Sequence, residues 1–332
     1  MKILLALLTA LTLMASNDYA RMKIAFEKGD INRAITYART NAMRGDLNAM
    51  YDLGLLYYAK GDMKNAMVWL DRSVRNGGKG EMGVSLLLFS NSTNRDGYMK
   101  AQESLINAPK SELRDALMAV SKDLYANRRD ATAKDYLLLG ELFSTDKIIR
   151  PDMRTALFLI NQAAKMGDPK ALELMGDAYW RSSYTQGTMI VAPQTGNGVQ
   201  IALEYYAQAV QKGNLDAMAK MGKLYIMAPW PVNNMRQGVR WILESANQGS
   251  ALGAKMAAEL YIQGQGVRPN RVLALKWYQK ATSLCEVNQT LSQLYLRSGD
   301  QKSAKEYADA FKKCSDKEGE PQSYHLLFEP FE

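Results

Sequence analysis

Small and aromatic side chains return at fixed offsets along most of the chain. A small residue at Gly54, Gly140, Gly176, Gly222, Ala258 and Ser292 is followed three positions later by an aromatic: Tyr57, Phe143, Tyr179, Tyr225, Tyr261 and Tyr295. A second small residue stands at Ala66, Ala156, Ala202, Gly238, Ala274 and Ala304. Eleven positions beyond it come Gly77, Gly167, Gly213 and Gly249, then Cys285 and Ser315. Around these marks the apolar residues keep a helical period, as in Ala217, Met221, Leu224 and Tyr225 on one side of a single helix. Glycine inside a helix costs about 1 kcal/mol relative to alanine. Its return in one register therefore predicts a neighbouring helix too close for a larger side chain. The glycine eleven positions on predicts a left-handed helix stop. Each unit reads as a helical hairpin whose apolar face is buried only when hairpins stack. The predicted fold is all-α, a solenoid of stacked antiparallel helix pairs.

The first small residues at 140, 176, 222 and 258 are spaced by 36, 46 and 36 positions, and the last step, to 292, is 34. Here the chain resembles the Sel1-like repeat family, relatives of the tetratricopeptide repeat with a longer inter-helix connector. The stretch "AAELYIQGQGVRPNRVLALKWYQKAT" carries the family's G-x-G-V connector and its A-x-x-W-Y-x-K-A second helix, and "LMGDAY", "KMGKLY" and "YDLGLLY" match its first-helix motif. Other units are similar to ordinary tetratricopeptide repeats and share G-D-x-x-x-A, at Gly29-Asp30 to Ala34, Gly61-Asp62 to Ala66 and Gly299-Asp300 to Ala304. The resemblance covers about residues 18–315 and is weak over 78–130. It implies a right-handed superhelical α-solenoid of about seven or eight hairpins that holds a protein or peptide partner on its concave face and connectors. A cysteine-rich branch of the family, linked to β-lactam binding, carries two cysteines in each repeat; this chain departs from that pattern, and the activity is not carried over.

The domain reading follows. Residues 1–15 form a signal peptide, with cleavage after Ala15 or as late as Ala20: one lysine precedes an apolar run from Ile3 to Ala15. As a helix that run spans only about 20 Å, short of a bilayer core. No later segment is long and apolar enough to cross a membrane. Export to the periplasm, or secretion, is the expected location. Residues 16–315 form a single α-solenoid in which 78–130 are degenerate repeats and 182–198 an enlarged connector. Residues 316–332 are a C-terminal tail, read as a strap on the last hairpin or as a peptide offered to a partner. Ser16, Asn17 or Asp18 is placed to cap the first helix.

Charge and chemistry narrow the function further. The net charge of +8 is spread without a concentrated basic stripe, which argues against nucleic acid as a partner. The single histidine is His325, in the tail, so His-based nucleophilic catalysis and multi-His metal sites have no material elsewhere. The Gly-rich segments lie in inter-helix connectors, where glycine serves the turn. Catalytic, cofactor-binding and metal residues are accordingly expected to be none. Cys285 and Cys314 are an even pair that an exported protein can bridge, though spacing alone leaves open whether the sulfurs meet.

The recurring aromatics, with Trp69, Trp241 and Trp277, are expected in the core. Binding candidates come from the irregularities, since long connectors on a rigid scaffold carry recognition. Tyr184 and Met189 lie in the enlarged connector and Trp230 in the proline-stiffened "APWPVNN", two loops that either meet a partner or pack on each other as neighbours in adjacent repeats. Asp177, Lys220, Lys223 and Glu259 are polar first-helix positions expected to face solvent. The expected function is a non-enzymatic exported scaffold within a cell-envelope assembly, export, motility or host-interaction system. Its alternative is an envelope enzyme or a small-ligand or glycan (peptidoglycan) binder on the same solenoid.

Overall fold

A computed structural model describes residues 18–76, 84–85, 88–89, 95–106, 108, 111–126, 130–144, 153–184, 198–229 and 231–319. The expected signal peptide, the tail beyond residue 319, and Met189 and Trp230 lie outside them. The described residues form helices and connectors only, with no strand among them. In order these are α1 (18–27), α2 (Ile31–Met43), α3 (Leu47–Lys60), α4 (Met63–Arg75), α5 (Arg95–Glu103), α6 (Glu112–Ala126), α7 (Ala133–Ser144) and α8 (Met153–Lys165). They continue with α9 (Pro169–Tyr184), α10 (Gly198–Gln211), α11 (Leu215–Met227), α12 (Met235–Asn247), α13 (Ala251–Gln263), α14 (Arg271–Lys280), α15 (Cys285–Ser298) and α16 (Gln301–Gly319).

Short polar residues begin the helices by accepting the first free backbone N–H groups. Asp46 accepts from Ala49, Asp168 from Ala171, Asn214 from Ala217, Ser250 from Gly253 and Asn270 from Leu273, at 2.8–3.0 Å. The predicted helix stops are present: Gly167, Gly213 and Gly249 have φ of 87°, 86° and 105°, a conformation that side chains with a Cβ rarely adopt. Gly77, expected to act likewise, is outside the described residues.

The described residues fall into two compact units, one within 18–156 and the other within 157–319. In the first unit α3 packs on α4. A Cβ on Gly54 would lie 2.6 Å from Leu70 Cγ and 3.1 Å from Leu70 N, so the first small position is a close helix approach, as its register predicts. Ser73 Oγ donates to the Leu47 carbonyl at 3.1 Å and ties the end of one helix to the start of the other. The stretch read as degenerate repeats supplies α5 and α6, which pack together. Phe89 stacks on Phe143 at 6.0 Å and meets the edge of Tyr98 at 5.3 Å. Buried Asp123 of α6 accepts from the N–H groups of Asp130 and Ala131, ahead of α7.

In the second unit the hairpins α9/α10, α11/α12, α13/α14 and α15/α16 follow one another, each helix packing on the next in sequence. The first helices α11 and α13 of consecutive hairpins also touch directly. Within α11/α12 the contact is between two backbones: a Cβ on Gly222 would be 2.7 Å from the Gly238 carbonyl, and one on Gly238 would be 2.5 Å from the Gly222 carbonyl. Val239, Ile242, Ala257, Ala274, Val287 and Leu291 belong to one continuous buried cluster running through α12–α15. Cys285 opens α15 and is disulfide-bonded to Cys314 in α16, with 5.7 Å between their Cα atoms. Helix α16 runs to Gly319, four residues beyond the solenoid boundary expected from sequence.

The aromatic register is less uniformly interior than expected. Tyr57, Phe143 and Trp69 are buried, whereas Tyr179, Tyr225, Tyr261, Tyr295, Trp241 and Trp277 are half-buried. Phenol and indole rings at these positions keep one edge in contact with water.

Candidate functional site

The densest polar arrangement in the second unit grows from one substitution within the repeat. Four positions after the second small residue, Leu70 and Ile242 fill the space beside Gly54 and Gly222. Tyr206 takes that position in α10, and a Cβ on Gly176 would lie 2.5 Å from its ring. The ring fills the aliphatic slot, and its hydroxyl passes through to the first-helix layer, where it donates to Asp177 Oδ1 at 2.6 Å. Lys220 of α11 reaches back to the same place, with Nζ 2.6 Å from Asp177 Oδ2 and 2.5 Å from Glu173 Oε1. Asn214, already the cap of α11, donates to Glu173 Oε2 at 2.8 Å and to the Pro169 carbonyl at 3.0 Å. Lys170 completes the set at 3.0 Å from Glu173.

The Glu173 side chain is 2% exposed, and those of Asp177 and Lys220 are 18% and 19% exposed. Burial alone would raise the Glu173 carboxyl; Lys220, Asn214 and Lys170 outweigh it and hold the group below its ordinary value. Burial would likewise lower the Lys220 ammonium, and Asp177 with Glu173 raises it instead. Burial, then the charge of Asp177, pushes the Tyr206 phenol well up. Glu173 is thus kept ionised, Lys220 protonated and Tyr206 neutral. A network whose members complete one another in this way acts as a tie between consecutive hairpins. Weaker ties repeat the theme: Ser250 Oγ donates to Asp216 at 2.6 Å, and Lys255 pairs with Glu286 at 3.1 Å.

The seven sequence-predicted contacts therefore separate. Asp177 and Lys220, expected to face solvent, are drawn together into this internal network because each is the other's counter-charge across the α9–α11 interface. Lys223 is exposed on α11 and Glu259 half-buried on α13. The backbone of Tyr184 ends α9; Met189 and Trp230 lie outside the described residues. Sequence reasoning did not find Glu173, Asn214 or Tyr206. A signal for the last was present in principle, a tyrosine where three aligned hairpins carry Leu70, Ile160 and Ile242, though Tyr278 holds the same position in α14.

A second feature is an open cleft of about 280 Å³ lined by α8, α9 and α10, with Asn161, Lys165, Glu204, Tyr205 and Gln208 on its walls. Tyr205 stacks on Tyr179 at 5.4 Å beside it. Among the described residues no group of three or more His, Cys, Asp or Glu side chains is placed to hold a metal, and no helix is long and apolar enough to cross a membrane.

The sequence matches the Sel1 repeat at residues 47–77, 133–168, 169–214, 215–250 and 252–284, more than half of the chain. It is 27% identical over 154 residues to the chitin synthase regulator SKT5 of Saccharomyces cerevisiae, a match covering 46% of this chain and 21% of that protein. The chain thus spans about a fifth of that relative's length. Among solved structures it is similar to a Sel1 repeat protein from Oxalobacter formigenes, at 18% identity and a TM-score of 0.45 over 89% of this chain and 99% of that one. It is also similar to a protective antigen of uropathogenic Escherichia coli, at 17% identity and a TM-score of 0.34, covering 94% and 83% of the two chains. An immunity protein from Pseudomonas aeruginosa gives 17% identity and a TM-score of 0.42, covering 72% and 89%.

Proposed function

The chain belongs to the Sel1 repeat family, and on that premise we propose that it is a non-catalytic exported scaffold that holds another protein at the cell envelope. One observation carries the reading: in the second unit the hairpins pack in sequential order and the small residues that repeat from hairpin to hairpin are spent on helix contacts, which leaves the variable first-helix and connector positions for a partner. On the first-helix layer Lys223 and Glu259 remain for a partner, joined by Tyr184, Met189 and Trp230 of the irregular connectors. The yeast relative is named as a regulator of a synthase, and a regulatory, protein-contacting role is what we carry over from it.

Export is supported by the apolar run after Lys2 and by the Cys285–Cys314 disulfide, a bond that persists in oxidising compartments. Photo-crosslinking from Lys223 and Trp230 in intact cells, with mass spectrometry of the adducts, tests both halves of the proposal. The expected outcome is a chain cleaved after Ala15 or Ala20 and joined to one envelope protein. An uncleaved chain, or crosslinks without a common partner, overturns it.

The rival, a glycan binder, draws on the cleft beside Tyr205, where amide and aromatic side chains suit sugar rings. Titration with peptidoglycan fragments separates the two. Saturable binding lost on Tyr205→Ala, with no protein crosslink, favours the rival.

A further inference from the structure

The cations of the second unit divide into two populations. Those of the first helices are largely committed: Lys170, Lys220 and Lys255 are each ion-paired with a carboxylate of their own or the adjacent first helix. The stretch from residue 231 to residue 281 differs. It holds seven cations against two carboxylates, Glu244 and Glu259, and of the cations Lys255 is already taken by Glu286. Glu244 accepts instead from Gln248 Nε2 at 2.7 Å, and Glu259 is half-buried within electrostatic reach of Tyr278.

The backbone gathers four of the uncommitted cations at one edge. In the α13–α14 connector, Gly266 adopts φ +67° and lies across the start of α12: a Cβ there would be 2.7 Å from Val239 Cγ2 and 3.0 Å from Met235 Cγ. That contact carries Arg268 and Arg271, two and five residues downstream, to the end of the hairpin from which Arg236 emerges, with Arg240 one turn further along α12. All four arginines are exposed, and among the described residues none of their side chains donates a hydrogen bond or forms an ion pair. Met235 and Val272, 38% and 66% exposed, stand beside them. Helices α12 and α14 both begin here, so their positive dipole ends add to the field of the side chains.

From this arrangement we infer that the connector edge of α12–α14 docks an acidic segment of the partner protein, a run of carboxylates interspersed with apolar residues. This rests on the scaffold reading and names the partner's chemistry. Guanidinium groups pair with carboxylates through two parallel hydrogen bonds, and the exposed Met235 and Val272 receive apolar side chains between them. Two apolar residues are too few for insertion into a bilayer interface, which needs a broad apolar face. The edge therefore fits a polypeptide better than a lipid surface.

The test uses the full mature chain and a labelled twelve-residue peptide alternating Glu or Asp with Leu, followed by fluorescence anisotropy at low and physiological salt. A Gln/Asn analogue of the peptide and phosphatidylglycerol vesicles are run in parallel. The triple variant Arg236→Glu, Arg268→Glu, Arg271→Glu is compared with Lys302→Glu, Lys305→Glu, Lys312→Glu on α16, which changes net charge by the same amount. The edge variant is expected to weaken binding at least ~10-fold, the sum of several exposed pairs, and the α16 variant less than ~2-fold. Circular dichroism checks that both remain helical. Equal losses in the two variants, or no binding of the acidic peptide at low salt, overturn the inference, as does binding to vesicles without binding to the peptide. If the edge variant still captures the native partner crosslinked at Lys223, the docking edge is wrong while the scaffold reading stands.

Discussion

In the hairpin Leu47–Arg75 of the first unit, Gly54 lies against Leu70; in Leu215–Asn247 of the second, Gly222 lies against Ile242 at the same register. Ser73 donates to the Leu47 carbonyl, and Ser245, its counterpart, donates to the Leu215 carbonyl at 2.7 Å. The two hairpins nevertheless differ at the position two residues before the glycine. There the first carries Asp52, 2% exposed, whose carboxyl is pushed well above the usual range by burial and then by the neighbouring charge of Asp46. The second carries Lys220, flanked by Glu173 and Asp177. Repeat packing thus fixes side-chain size at the glycine and leaves charge at the adjoining position to be settled by the neighbouring helices. One hairpin settles it with a complementary network, the other by holding a carboxyl toward its neutral form.

Four experiments sharpen that contrast, in descending order of effect. Reduction of Cys285–Cys314, or the double change to serine, should destabilise the second unit alone by about 3–4 kcal/mol, the chain-entropy value for a loop of this length. Hydrogen exchange read by mass spectrometry would show faster exchange in peptides from α15 and α16 and none in peptides from α3 and α4. Next, Lys220→Ala leaves Glu173 buried beside only Asn214 and Lys170 and should cost about 3 kcal/mol; Lys220→Arg should recover part of it. Third, Gly222→Ala forces apart two backbones in contact and should cost about 2 kcal/mol in calorimetry; Ala66→Gly in the first unit opens no such clash and loses about 1 kcal/mol of helix propensity together with one buried methyl.

The smallest effect has the opposite sign. Asp52→Asn should stabilise the first unit by about 1 kcal/mol at neutral pH by removing a poorly solvated charge. The pH dependence follows from the two directions of shift. Because Asp52 is raised, its contribution is present below the ordinary carboxylate value and is lost as pH rises through the raised one. Because Glu173 is lowered, its contribution is present above the ordinary value of 4.5 and is lost as pH falls through the lowered one. Acidification should therefore slow exchange around Asp52 while quickening it around Glu173. The same direction at both sites would contradict the contrast.

The hairpins were legible in the sequence because steric exclusion leaves a trace in the letters: Gly222 and Gly238 are glycine since each faces the other's carbonyl. The left-handed stops at Gly167, Gly213 and Gly249 were legible for an equally local reason, one φ value per helix end. The network was not. Lys220 and Asp177 are 43 residues apart, and a polar residue on a first helix reads as solvent-facing until the neighbouring first helix is in place. Tyr206 was hidden differently, since its ring satisfies the aliphatic pattern and only its hydroxyl does something else. The cysteine pair sat between these cases: two were counted, and geometry alone could join them.

The ties between first helices are all different: Lys220 to Asp177 and Glu173, Ser250 to Asp216, Lys255 to Glu286. Hairpins that look interchangeable in outline are therefore keyed to their immediate neighbours. Copying or deleting one of them would set a lysine beside a serine, or leave a carboxylate facing an aliphatic helix. A lineage carrying these keys is expected to diversify by single substitutions and by growth of its connectors, because shuffling whole modules would break the match at every new junction.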